Sequence, residues 1–369
     1  MTLHDGSMAP VGAVDVVLSG AVFFDLVMGE LDQAPAPGTE VYARELATAP
    51  GGIANLAVAT ARLGLRTDLI TTLGDDIYGR WCREFLVDHE GIDLSRSRTL
   101  TGWPTPLTVS LAHDGDRSMI TREEPAPPTP DAAEVPARAA IVDLRAVARD
   151  EAWLSSAARG TLVFADLGWD PTGRWDPADL RALEACHAFT PNEREAMAYT
   201  RTDTPVAAAR ALAERVPLVV VTCGAAGAVA IDAASGEEAR VPAVPVRARD
   251  ATGAGDVFGA ALVAATLEQW PLAQRVAFAA LCAGLAVEGV GGSISAPGWG
   301  DIADWRGRHR DGELGERYGF LDDALRGRVL RRRADAAFPF ATYRPSPSHH
   351  PHEHSTISTG SGSAASLPH

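Results

Sequence analysis

One acidic residue follows a glycine-rich turn and precedes an apolar stretch typical of a buried helix. The turn is Asp250-Ala251-Thr252-Gly253-Ala254-Gly255-Asp256, and residues 257–265 are nearly all apolar. Because glycine has no Cβ, a ligand can approach this backbone closely, and the first N–H groups of a helix lie unpaired at its positive end. The turn therefore suits an anion, and Asp256 can accept a proton from an attacking hydroxyl. The alternative is a helix start at which Asp256 is simply a cap.

Further candidate binding residues lie near the ends of other predicted strands, where ligands of open α/β sheets bind. A first strand over residues 14–20 is followed by Asp25, and an apolar strand over 218–222 is followed by a second glycine turn. Gly51-Gly52 is followed by Asn55, at the start of a helical pattern that ends near Gly64. Each of these patterns also occurs in ordinary turns, so none is specific by itself.

Asn192 and Glu195 form another candidate pair. Pro191 is typical of the first turn of a helix, which is predicted to run through Tyr199. Residues three apart share a helix face, so the two polar side chains are expected to lie together. An acid in the first turn also compensates the helix dipole, and this structural alternative stays open.

The spacing of apolar residues predicts the elements that must position these residues. Predicted strands cover 14–20, 65–73, 139–144, 161–167 and 218–222, and predicted helices cover 56–63, 78–89, 205–215, 257–268 and 273–288. Strands that alternate with helices favour the α/β class with a mostly parallel sheet. A hairpin pattern around Asp114-Gly115 and an extended stretch at 39–46 predict a small separate sheet, a lid, with strands from about 29–50 and 103–123.

Composition limits the class of protein. The chain has 369 residues, a net charge of −15 and four scattered cysteines. An acidic chain is not expected to bind nucleic acid, and no apolar stretch approaches the ~20 residues that span a bilayer. We therefore expect a cytoplasmic protein with reduced thiols and no membrane partner. Residues 1–13 are predicted to be flexible, 14–338 to form one domain and 339–369 to be a disordered tail, while the basic run at 326–333 predicts a helix face.

Taken together, the motifs resemble the ribokinase-like, or PfkB, family of carbohydrate kinases over about residues 14–297. The turn from Asp250 to Asp256, followed by Ala260-Ala261-Leu262-Val263, matches the C-terminal signature of that family except at Ala251. The N-terminal signature is similar to Gly51-Gly52, Asn55, Ala57, Gly64 and Gly74, although Asn55 is one residue closer to the glycines than expected. The resemblance implies a three-layer α/β/α sandwich with a mostly parallel sheet and a small β-sheet lid.

The resemblance also implies a role for each matching residue. Asp256 would be the catalytic base, and the N–H groups of Gly253, Ala254 and Gly255 would bind the transferring phosphate of ATP. The residues expected to hold the acceptor are Asp25, Gly51, Gly52 and Asn55, and those expected at ATP are Asn192, Glu195, Thr222, Gly224 and Gly227. Glu195 would hold Mg²⁺ through water, and Asp250, the Thr252 carbonyl and Ser295 would form a K⁺ site.

Several functions remain open on the sequence. The first is an ATP-dependent sugar kinase, and the alternative is a nucleoside kinase with an apolar slot for the base, for which Phe23, Phe24 and Trp103 are candidates. A non-catalytic sugar-binding protein is disfavoured because Asp256 is present. A Rossmann dehydrogenase is disfavoured because neither glycine turn has the G-x-G-x-x-G spacing. The resemblance further implies a homodimer that pairs through the lid.

Overall fold

The alternating pattern produces three sheets and eleven α-helices within residues 14–113, 116–125, 132–149, 152–167, 173–333 and 342–343, which the computed structural model describes. The strands are β1 Val14–Ser19, β2 Val22–Leu31, β3 Ala43–Gly52, β4 Thr67–Ile70, β5 Thr72–Gly74, β6 Arg98–Leu100, β7 Leu107–His113, β8 Asp116–Arg122, β9 Ala137–Asp143, β10 Leu162–Asp166, β11 Ala188–Phe189, β12 Leu218–Thr222, β13 Ala228–Asp232, β14 Glu237–Val241 and β15 Thr342–Tyr343. The helices are α1 Ile53–Arg62, α2 Ile77–Glu84, α3 Leu144–Arg149, α4 Ala152–Ala158, α5 Glu193–Thr200, α6 Pro205–Ala213, α7 Ala254–Leu267, α8 Leu272–Val287, α9 Trp299–Arg308, α10 Gly312–Arg317 and α11 Leu321–Ala324.

The largest sheet has eight strands in the order β14-β13-β12-β11-β10-β9-β1-β4. Neighbouring strands from β12 to β4 run parallel, whereas β13 and β14 form an antiparallel edge. The carboxyl ends of the parallel strands therefore meet along one edge of the sheet. Asp143, Asp166 and Thr222 end β9, β10 and β12 at this edge.

Helices cover both faces of the large sheet. Residues of α1, α7 and α8 share one apolar core with Val16 and Leu18 of β1, whereas residues of α5 and α6 share a second core with Val17. Side chains alternate between the two faces of a strand, so β1 contributes to both cores. The predicted three-layer α/β/α sandwich with a mostly parallel sheet is confirmed.

A second sheet of five strands, in the order β15-β3-β2-β7-β8, corresponds to the predicted small sheet and is called the lid sheet below. The β7–β8 hairpin pairs as predicted, although Asp114-Gly115 lies outside the described residues. The lid sheet begins earlier than expected, because β2 starts at Val22, almost directly after β1. Asp25 therefore lies within β2 of the lid sheet, and not just past the end of the first strand as the sequence suggested.

Two local predictions differ from the structure. Pro191 precedes α5 instead of lying in its first turn, because Asn192 is the N-cap and Glu193 is the first helical residue. The basic run at 326–333 lies beyond α11 and contains no α-helix. Its arginines pair with acids of the main body instead, since Arg331 lies 3.1 Å from Glu90 and Arg332 lies 2.8 Å from Asp304.

The buried Arg62 side chain ties α1 both to Glu90 and to the loop that follows α8. The Arg62 guanidinium lies 2.7 Å from the Glu90 carboxylate, and both side chains are almost fully buried. Arg62 also donates to the carbonyls of Ile294 and Ala296, at 2.9 and 2.6 Å. A buried guanidinium needs such partners, because an unpaired charge away from water is costly. The loop of residues 289–296 is thereby held against α1.

The predicted terminal segments are largely untested. Residues 1–13 lie outside the described residues, as does the predicted tail apart from Thr342–Tyr343, which pair with β3. Among the described residues, no helix combines the length and apolar character needed to cross a bilayer.

Candidate active site

The glycine turn before α7 has the geometry of an anion site. Gly253 adopts φ +73°, a left-handed conformation that favours glycine, and is the N-cap of α7. The first N–H groups of α7, including that of Gly255, have no acceptor within the helix. The Ala254 N–H differs, because it donates to the Ala251 carbonyl at 3.2 Å. The backbone at Gly253 and Gly255 is therefore the better candidate for binding an anion.

Asp256 lies in the first turn of α7, beside that backbone. The Asn55 Nδ2 donates a hydrogen bond to Asp256 Oδ2 at 2.9 Å. Asn55 belongs to the first turn of α1, which starts after Gly52 at φ +62°. The short spacing between the glycines and Asn55 therefore still brings the amide to the predicted base.

Asp25 lies opposite Ala49 and Thr108 in the lid sheet and is only 7% exposed. A Cβ on Gly51 would lie 1.8 Å from the Asp25 carboxylate, so glycine at this position leaves the space that the carboxylate occupies. Burial, together with the charge of Asp256, raises the pKa of Asp25 to about 7, and a hydrogen bond from Thr108 opposes the shift. Asp25 and Asp256 therefore interact electrostatically at the predicted acceptor site.

A cavity of about 420 Å³ lies at the carboxyl edge of the large sheet. It brings together most of the predicted nucleotide and phosphate residues: Asn192, Glu195, Thr222, Gly224, Gly253, Gly255 and Asp256. The predicted acceptor residues Asp25 and Asn55 are not part of its lining, but they connect to it through Asp256. Asp256 thus stands between two groups of polar residues.

The cavity is also lined by Asp166, to which the sequence analysis gave no role. Burial raises the pKa of Asp166 well above its ordinary value, and the charges of Asp256 and Glu195 add to this shift. Its position at the end of a predicted strand was the available signal. That signal alone does not distinguish a ligand-binding carboxylate from a loop residue.

Asn192 and Glu195 form a reciprocal capping box at the start of α5. The Asn192 side chain accepts from the Glu195 N–H at 3.0 Å, and the Glu195 carboxylate accepts from the Asn192 N–H at 2.9 Å. Both side chains therefore have a structural role, because they stabilise the helix end. It does not exclude a binding role, since both residues also line the cavity.

The two glycines after β12 have different surroundings. Gly224 lines the cavity, has φ +52° and has open space where a Cβ would stand. Gly227 has φ +94°, and a Cβ there would lie 2.0 Å from the Val241 carbonyl oxygen. Gly227 is thus required for packing against the end of β14, and it is absent from the cavity lining.

Asp250 joins the anion turn to the loop of residues 289–296. One carboxylate oxygen accepts from the Thr252 N–H at 2.9 Å, and the other accepts from the Gly291 N–H at 3.0 Å. Thr252 and Ser295, the other predicted cation ligands, are 6% and 4% exposed. The three residues therefore lie in two adjoining buried loops that Asp250 connects.

The aromatic candidates for a base-binding slot are largely part of the packing. The Phe24 ring lies 4.9 Å from the Tyr78 ring and 5.1 Å from the Trp81 ring, measured between centroids. Phe23 packs where a Cβ on Gly52 would stand. Among the described residues, the buried Trp103 indole N–H has no hydrogen-bond partner.

We predict that Asp25→Asn stabilises the protein at neutral pH. Asp25 binds its proton more tightly folded than unfolded, so its contribution to stability is full below about pH 4 and is lost as pH rises towards 7. Asp25→Asn should raise the free energy of unfolding at pH 8 by on the order of 2 to 4 kcal/mol and leave it nearly unchanged at pH 4. Denaturant unfolding at both pH values measures this difference.

The matched control is Asp32→Asn in the exposed pair with Arg44. That variant should shift stability by no more than about 0.5 kcal/mol at either pH. Equal effects of Asp25→Asn at pH 4 and pH 8 would contradict the assignment.

The chain is similar in sequence to known kinases and related proteins. The chain is 31% identical to the bifunctional protein HldE of Rhodopseudomonas palustris, over 80% of this chain and 64% of that protein, so it spans less than two thirds of that relative's length. It is 29% identical to a nucleoside kinase of Methanothermobacter thermautotrophicus, over 78% of this chain and 94% of that protein.

The fold has counterparts among solved structures. The structure of Arabidopsis thaliana ribokinase complexed with ribose and ATP aligns with a TM-score of 0.66 and 25% identity, over 78% of this chain and 96% of that one. Residues 15–299 match the family model described as pfkB family carbohydrate kinase. This match includes the lid sheet up to β8, the anion turn and the Asn55–Asp256 contact. The chain belongs to the pfkB family of carbohydrate kinases.

Proposed function

We propose that this protein transfers the γ-phosphoryl group of ATP to a hydroxyl of a small sugar, with Asp256 as the base. One observation carries the proposal: Asp256 lies between the cavity that the glycine turn helps to line and the polar residues Asn55 and Asp25. A base at this position can take the acceptor proton while the adjacent backbone binds the transferring phosphate. The location of this activity would be the cytoplasm.

The nucleotide would occupy the cavity at the carboxyl edge of the large sheet. Its lining combines backbone N–H groups at the start of α7 with the polar side chains of Asn192 and Thr222. Within the described residues no three His, Cys, Asp or Glu side chains converge as a metal site. Mg²⁺ commonly keeps several waters and binds substrate phosphates with one or two carboxylates, and Glu195, which lines the cavity, would supply one. Bound Mg²⁺ would neutralise charge on the phosphates.

The chain's own residues perform the remaining tasks. The Asp256 carboxylate accepts the proton that the acceptor hydroxyl loses as it attacks the phosphorus. The N–H groups at Gly253 and Gly255 donate to oxygens of the transferring group, where negative charge accumulates. The lid sheet excludes water, which competes with the acceptor for the phosphoryl group.

A monovalent cation would bind beside the anion turn, at Asp250, Thr252 and Ser295. Asp250, Thr252 and Ser295 lie in buried adjoining loops, and among the described residues the buried Thr252 hydroxyl has no hydrogen-bond partner. These oxygen donors fit K⁺, although both Asp250 oxygens already accept backbone N–H groups. Equal rates in sodium and potassium buffers would remove this site from the proposal.

The charges around Asp256 favour an acceptor without a phosphate group. Asp25 interacts unfavourably with Asp256 and Asp250, so the acceptor side is rich in carboxylates. Arg249 is adjacent in sequence to Asp250, but its guanidinium pairs with Glu45 and donates to the Glu288 carbonyl. Carboxylates suit sugar hydroxyls, which are hydrogen-bond donors, and repel a second anion.

Substitution of Asp256 tests its role as the base. Asp256→Asn preserves the volume of the side chain but cannot accept the proton, so turnover should fall by about 10²–10⁴-fold. ATP affinity, measured by calorimetry, should stay within about threefold of wild type, which corresponds to less than 1 kcal/mol. The control is Asp323→Asn, at an exposed site paired with Arg326, which should keep wild-type turnover. Near wild-type phosphorylation by Asp256→Asn would contradict the proposed mechanism.

The charge preference of the acceptor site can be tested with a panel of substrates. Release of ADP should be measured with neutral sugars, the same sugars carrying a phosphate, and nucleosides. A like charge placed beside carboxylates costs several kcal/mol, so phosphorylated sugars should have kcat/KM lower by at least about 100-fold. A preference for a phosphorylated sugar would contradict the electrostatic argument.

Nucleosides are the alternative acceptors in this panel. The unpartnered Trp103 indole N–H is the feature that favours them, since it can donate to a base. The packing of Phe24 against Tyr78 and Trp81 disfavours them, because that ring is not available as a slot. Faster turnover of a nucleoside than of every sugar would identify the protein as a nucleoside kinase instead of a sugar kinase.

The proposed homodimer would cover the outer face of the lid sheet. Ile120 and Leu46 on this face are 66% and 37% exposed, and Val109 and Met28 lie beside them in register. A second copy can bury these apolar side chains, which a monomer leaves in water. Sedimentation equilibrium should give a dimer for the wild type and a monomer for Ile120→Glu. A monomeric wild type would exclude this arrangement.

A further inference from the structure

We propose that Asn55 is a positioning residue for Asp256, acting on the base instead of serving only as a contact to the acceptor. The inference rests on the proposed function, because it assumes that Asp256 is the base. It changes the role that family resemblance implied for Asn55. The evidence is the contact between the two side chains and the packing that fixes it.

The hydrogen bond joins residues that are 201 positions apart, and its N···O distance is 2.9 Å. Asn55 is only 6% exposed. A carboxylate accepts hydrogen bonds and does not donate them, so the NH₂ group of the amide must face Asp256. That assignment leaves the Asn55 Oδ1 buried and without a partner among the described residues.

Two glycines leave room for the amide in this position, close to the backbone of both loops. A Cβ on Gly253 would lie 3.3 Å from the Asn55 Cγ, and a Cβ on Gly292 would lie 3.0 Å from the Asn55 Oδ1. Both glycines have positive φ, so their conformations also disfavour other residues. Because Asp250 bonds to the Gly291 N–H, the loop behind the amide is itself tied to the anion turn.

A neutral donor is what this position requires. The carboxyls of Asp25 and Asp166 both interact electrostatically with Asp256, so the surroundings of the base are rich in acidic groups. A lysine or arginine here would form an ion pair and make the base less able to accept a proton. An amide fixes the orientation of the carboxylate without adding charge, which is the property of a positioning residue.

The kinetic test separates positioning from acceptor binding. In Asn55→Ala, kcat should fall by about 10–100-fold while the acceptor KM stays within about threefold, since the loss occurs at the base. Asn55→Asp, which has the same shape but no N–H donor, should lose at least as much. The control is Thr60→Ala, which removes the buried hydroxyl contact to Thr67 one turn further along α1 and should leave kcat within about twofold.

A double-mutant cycle gives a stricter readout. If Asn55 acts through the Asp256 carboxylate, adding Asn55→Ala to Asp256→Asn should change the residual rate by less than about twofold. If Asn55 instead holds the acceptor, the second substitution should raise the acceptor KM in both backgrounds. That result, or an unchanged kcat in Asn55→Ala, overturns the proposal while the kinase assignment stands. High activity in Asp256→Asn overturns the kinase mechanism itself.

A second measurement needs no acceptor. The chain has only two asparagines, Asn55 and Asn192, so selective ¹⁵N labelling gives two side-chain amide signals by NMR. Asp256→Ala should shift the Asn55 signal and increase its hydrogen exchange, while the Asn192 signal serves as the internal control. An Asn55 signal that does not respond to loss of Asp256 overturns the proposal whatever the acceptor is.

Discussion

The placement of a carboxylate beside an anion-binding turn is the constraint on which the rest of the site depends. Asp256 lies in the first turn of α7, where backbone N–H groups favour a negative ligand, so two negative groups must share a small volume. The carboxylate therefore needs a fixed position and a donor of its own. The Asn55 amide meets both requirements, since it donates at 2.9 Å and is packed between Gly253 and Gly292.

This constraint explains features that lie outside the site. Asn55 is positioned by α1, and Gly292 belongs to a loop that Asp250 ties to the anion turn. The same loop is held from the other side by the buried Arg62–Glu90 pair through the carbonyls of Ile294 and Ala296. A chain of charged hydrogen bonds thus connects the helix that carries Asn55 to the loop that confines it. Buried ion pairs are weak contributors to stability, but they specify geometry well in some proteins.

Much of the fold was predictable from the sequence, because it depends on local patterns. Alternating apolar segments gave the order of strands and helices, and the β7–β8 hairpin followed from its turn residues. The start of the lid sheet was missed because β2 follows β1 after only two residues, without a turn signal strong enough to separate them. The basic run at 326–333 was misassigned as a helix because its arginines make long-range ion pairs that spacing does not reveal.

The sequence by itself determined the glycine turn, the acid at its end and the family to which they belong, since each depends on residue types close together in the chain. Only the tertiary structure decided that Asn55 meets Asp256, that Asp25 is buried in a lid strand and that Asp166 lines the cavity. It also assigned Glu195 to a capping box and Gly227 to packing against β14. These properties arise where separate elements meet, and burial and neighbouring charge then alter what each side chain can do.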